Sequence, residues 1–110
     1  MLKEIISALR SKLEETGTLD VEHFDDDSVL VLGIQSVLPH ECLHPDGRFL
    51  NLMACVLSGQ MAAVKALTYN ESNIRNVMYY LDFLYETTFY GYVDASEIEE
   101  LKDQVISITF

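Results

Sequence analysis

Five consecutive residues, His40-Glu41-Cys42-Leu43-His44, carry the side chains with the most evident capacity for chemistry in this chain. On an α-helix, two imidazoles four positions apart lie on one face and can share a Zn²⁺. A carboxylate between them, here Glu41, can then take a proton from a metal-bound water. The flanks oppose that geometry, because Pro39 precedes the string and Pro45-Asp46-Gly47 follows it. Proline disfavours the α region for the residue before it, so a helix through His44 has to stop there. The competing reading is a polar loop whose two histidines take up zinc or nickel adventitiously.

Over these five residues the chain resembles the H-E-x-x-H signature of zinc peptidases, and the resemblance extends no further. It implies a zinc held by His40 and His44 together with a third ligand. His23 is the only other histidine, and the carboxylates of Asp46 and Glu71 stand at no diagnostic spacing. Pro45 occupies a place where that family's helix continues. Elsewhere the motifs of catalysis are missing. No phosphate loop, dinucleotide fingerprint or Gly-x-Ser-x-Gly elbow occurs, and serine, cysteine and histidine are too sparse for a triad. Asp25-Asp26-Asp27 lacks the glycine and terminal glutamate of a calcium loop and reads as a solvated turn. Zinc is the one cofactor the residues suggest.

The charge is one-sided. Eighteen acidic residues face seven basic ones, a net charge of −11. Nucleic acid and anionic membranes repel such a chain, whereas a basic protein is attracted and steered to it. The imbalance is steepest late in the sequence. After Arg75 the only cation is Lys102, against Asp82, Glu86, Asp94, Glu97, Glu99, Glu100 and Asp103. Two cysteines, Cys42 and Cys55, form no C-x-x-C pair. A reducing cytoplasm is the expected compartment, since small secreted domains use cysteine in larger even sets. Lys3, Glu4 and Arg10 interrupt the N-terminal segment, so no signal-peptide core is expected there, and no apolar run reaches membrane-spanning length.

The elements that must position these groups are mainly helical. Residues 2–16 form an amphipathic helix on Leu2, Ile5, Ile6, Leu9 and Leu13, stopped at Gly17. Residues 19–34 read as a small β-hairpin, with β-branched Val29, Val31 and Ile34 in an unbroken apolar run. A helix capped at Asp27 or Ser28 and ending before Pro39 is the alternative, weakened by Gly33. Residues 49–67 form a very apolar central helix, with a stripe of small residues at Cys55, Gly59, Ala62 and Ala66. Residues 72–89 make a third helix with Ile74, Val77, Met78, Leu81, Leu84 and Tyr85 toward the core. Residues 95–107 make a last one, capped at Asp94 with Glu97 three positions on and stapled by Val93 and Ile98. The expected fold is a single mainly α domain (α+β) spanning 1–110, or an all-α bundle if the hairpin is replaced by helix.

Two patches remain as candidate binding sites. Tyr79, Tyr80, Phe83 and Tyr90 belong to a dense aromatic segment, and tyrosine suits interfaces because its ring is apolar and its hydroxyl tolerates water. Glu97, Glu100 and Asp103 follow one another along the last helix and could occupy a cationic groove on a partner. The leading expectation is therefore a non-catalytic acidic module of the inhibitor, immunity, antitoxin or chaperone type that binds a basic protein. A small zinc-binding protein or peptidase and a homodimeric or larger structural subunit are the alternatives. The zinc alternative has a direct test. Protein purified from its native source should carry stoichiometric zinc that His44→Ala abolishes; a folded, metal-free native preparation removes that reading.

Overall fold

A computed structural model of the chain describes residues 1–17, 20–38, 47–67 and 71–109. The first helix, α1 (Leu2–Thr16), forms where apolar residues recur at the helical period, and it buries Ile5, Ile6, Ala8, Leu9 and Leu13. It ends at Gly17, whose left-handed φ of 68° lets its N–H turn back to the Glu14 carbonyl.

The expected hairpin at 19–34 does not form. A 3₁₀ turn at Val21–His23 leads into helix α2 (Asp26–Val37), and no strand occurs among the described residues. Asp25 decides the outcome locally: its carboxylate accepts the Ser28 N–H at 2.7 Å, capping the helix one or two residues earlier than the alternative reading placed it. The Ser28 backbone and side chain also hold the Asp25 carboxyl below the usual carboxylate range. Burial follows the helical period, with Val29, Leu30, Gly33 and Ile34 inside and Val31 exposed. A strand would have placed Val29 and Leu30 on opposite faces.

The long central helix is also two helices, α3 (Gly47–Leu57) and α4 (Met61–Leu67). Gly59 adopts φ 75° between them. Its N–H donates to the Val56 carbonyl at 3.1 Å while the Gln60 N–H reaches the Cys55 carbonyl at 3.0 Å, the paired bonds of a Schellman stop. The break removes the small-residue stripe: Cys55 is buried in α3, whereas Ala62 and Ala66 are exposed on α4.

Helix α5 (Glu71–Leu84) buries Ile74, Val77, Tyr80, Leu81 and Leu84, then widens into a π turn at Tyr85–Phe89 that buries Thr88 and Phe89. Helix α6 (Ala95–Thr109) begins with the expected staple, Val93 and Ile98 both buried. The cap works from the other partner: Glu97 Oε2 accepts the Asp94 N–H at 3.2 Å.

The helices surround one continuous apolar core. Helix α2 packs on α1 and α3, α4 on α3 and α6, α6 on α5, and the π turn closes the ring against α1. Lys102 ties α6 to α5 by donating to Asp82 and to Glu99. Burial works against its charge, but those carboxylates outweigh it and raise the ammonium above the ordinary lysine value. Arg10 joins α1 to the start of α2 through the Phe24 carbonyl at 3.2 Å and Asp26 Oδ1 at 3.0 Å.

The tightest packing lies between α1 and α2. A Cβ placed on Gly33 would lie 2.8 Å from both Cβ and Cδ2 of Leu9. The Leu9 Cβ is fixed to its own backbone, so a side chain at position 33 has to push the helices apart. Gly33→Ala gains about 1 kcal/mol of helix propensity but incurs overpacking of about 1–3 kcal/mol. Urea unfolding should show a net loss, and a Gly33→Ala/Leu9→Ala pair should cost less than the sum of the two single changes.

Candidate partner-binding site

The start of α1, the end of the π turn and the start of α6 meet around an open groove of about 480 Å³. Its walls carry three tyrosines, Tyr85, Tyr90 and Tyr92, and three carboxylates, Glu4, Asp94 and Glu97. No lysine, arginine or histidine is among the described residues that line it.

The connection between α5 and α6 shapes this wall. The N–H groups of Tyr92 and Val93 both donate to the Phe89 carbonyl, at 2.9 and 3.1 Å, and Gly91 turns the chain with φ 89°. Phe89 and Val93 are buried, so the turn is anchored in the core on both sides and thrusts Tyr90 and Tyr92 outward. Tyr90 is 75% exposed and Tyr92 45% exposed. The Tyr90 ring meets that of Tyr85 edge to face, with centroids 6.1 Å apart and planes at 69°. The Tyr92 hydroxyl donates to Ser11 Oγ at 3.3 Å, which fastens the turn to α1.

The carboxylates differ in their commitments. Glu4 pairs with the Met1 ammonium at 2.9 Å. That hydrogen bond raises the amine against the opposing effect of burial, with further support from the charges of Glu4 and Glu97. The same bond, with a backbone hydrogen bond, lowers Glu4. Glu97 uses one oxygen on the Asp94 N–H. The Asp94 carboxylate has no hydrogen bond or ion pair with the described residues.

The residues expected from sequence to bind a partner are dispersed. Tyr90 and Glu97 come together in the groove. Tyr80 is 6% exposed and belongs to the core, edge to face against Phe49 at 4.7 Å. It cannot serve as a surface anchor. Phe83 is half-buried against the same core. Tyr79 is 55% exposed, with its ring against Tyr80 at 5.3 Å, but it does not line the groove. Glu100 and Asp103 are exposed on α6 beyond the groove. Each three-residue step falls about 60° short of a full turn, so the acidic strip winds away from Glu97. Glu4, Tyr85, Tyr92 and Asp94 were not among the expected site residues.

His40, Glu41, Cys42 and His44 lie outside the described residues, and among the described residues no three His, Cys, Asp or Glu side chains gather to hold a metal. Cys55 is buried, which pushes its thiol up and away from the reactive thiolate. No helix among the described residues is long and apolar enough to cross a membrane. No family model, curated protein or solved structure matches the chain.

Gly91 gives the site its sharpest local test. A Cβ there meets nothing within 4 Å, so the glycine is required by its φ of 89° and not by space. Gly91→Ala should cost about 1–2 kcal/mol in chemical denaturation. Gly91→Asn should cost less, since asparagine tolerates the left-handed region.

Proposed function

We propose that this chain is a non-catalytic acidic binding module that docks on a basic partner protein and covers its cationic site, as inhibitors, immunity proteins, antitoxins and chaperones do. The observation that carries the reading is the groove itself, with three tyrosines and three carboxylates and no cationic residue in its described lining. Tyrosine rings held out in water gain free energy when a partner covers them, and their hydroxyls keep a hydrogen-bonding option at the rim.

The charge and the groove have separate roles. A net charge of −11 draws a basic partner in from a distance and orients it. The exposed acids of α6, Glu100 and Asp103 among them, contribute to that field. Close contact at Tyr90, Tyr92 and Asp94 then resists dissociation. Salt weakens the first effect, because fields between exposed charges fade beyond about 8 Å at physiological ionic strength.

The test begins with recovery of a partner from native lysate at low salt and its release in a salt gradient. With the purified pair, Glu97→Lys/Glu100→Lys/Asp103→Lys should slow association by about 10- to 100-fold at low salt. It should also flatten the salt dependence. Tyr90→Ala should leave association nearly unchanged and speed dissociation by about tenfold. An association rate indifferent to charge reversal and to salt defeats the proposal. So does a chain that binds only further copies of itself in sedimentation at high concentration.

A further inference from the structure

Building on that reading, we infer that the groove between Tyr90 and Asp94 receives a single arginine side chain of the partner, its guanidinium stacked on a tyrosine ring and paired with the Asp94 carboxylate. Three features of the site argue for this ligand. The volume of about 480 Å³ is that of a pocket for a small group, too confined for a whole helix or strand. Two rings meeting at 69° form a corner with flat walls, and a planar cation can lie along such a wall. Asp94 presents two carboxylate oxygens with no partner among the described residues, and a guanidinium fork donates to two such oxygens at once.

The site already holds a cation at its edge. The Met1 ammonium rests on Glu4, and the negative charge of Glu97 adds to its stabilisation. That pair occupies Glu4 and leaves Asp94, beside the most exposed tyrosine, as the open acceptor. Lysine fits less well than arginine. Its ammonium is a strongly hydrated point charge that cannot stack and cannot span both oxygens.

Arginine binding at this groove can be examined without the partner. Backbone amide shifts of the intact chain are followed while blocked pentapeptides are added, identical except for a central arginine, lysine or citrulline. Citrulline keeps the shape of arginine and lacks its charge. The arginine peptide should shift Tyr90, Gly91, Tyr92 and Asp94 saturably, the lysine peptide should bind at least threefold more weakly, and citrulline should leave the spectrum unchanged. Asp94→Asn and Tyr90→Ala should each weaken arginine binding by about tenfold; both side chains are exposed, so an unchanged spectrum elsewhere confirms the fold. Equal response to lysine and arginine overturns the inference, as does no response, or one spread along Glu100 and Asp103. If those results come with salt-sensitive binding of a basic partner, the specific ligand is wrong and the binding-module reading stands. If charge reversal leaves partner association untouched, that reading fails on its own account.

Discussion

The seat of Leu9 on the bare backbone of Gly33 sets the geometry from which the other positions follow. With no Cβ between them, α1 and α2 approach more closely than two ordinary helices, which settle about 8–10 Å apart. Helix α1 also packs on the π turn, so its placement governs that element as well. The same helix carries Glu4 into the groove and Ser11 to the Tyr92 hydroxyl. A shift of α1 by a fraction of an ångström at Leu9 would therefore be felt at the binding surface on the other end of the helix. Close-packed interiors transmit displacement in this way because they have little free volume to absorb it.

Attraction and grip are divided between different parts of the surface. The acids of α6 wind around the helix and present no single docking stripe, which suits a long-range field more than a lock. The tyrosines are held by buried neighbours, Phe89 on one side and Val93 on the other. A rigid aromatic anchor loses little conformational freedom when it is covered, so more of its contact energy survives as affinity. Lys102 plays a third part, since its pairing with Asp82 and Glu99 neutralises acid between α5 and α6 and lets those helices lie together.

Local grammar was readable where polar and apolar residues alternate completely. Helix α1 and its Gly17 stop could be recognised from residues 2–17 alone, and the Val93–Ile98 staple marked the start of α6. Residues 29–34 were ambiguous because no polar side chain among them shows which face is wet. The deciding signal was the cap at Asp25, outside the apolar run. Gly59 marked the division between α3 and α4, yet apolar residues continue on both sides and masked it. Tyr79 and Tyr80 are neighbours in sequence and diverge by about 100° on the helix, so one is exposed and the other buried. The groove was only half visible, because Glu4 meets Tyr90 and Asp94 through tertiary packing that no local pattern encodes.

The π turn at Tyr85–Phe89 gives this surface an unusual kind of fragility. A wide turn contains one residue more than an α-helix needs for the same loop of hydrogen bonds. Its exposed positions, such as Glu86 and Thr87, can exchange one side chain for another with little consequence. Loss of a single codon here is a different event. The turn would close to ordinary α pitch, and all that follows would rotate by about 100° relative to α5. Phe89 would leave its buried seat, and Tyr90 would swing out of the wall it shares with Tyr85. In lineages that keep this surface, the segment should vary in spelling and hold its length.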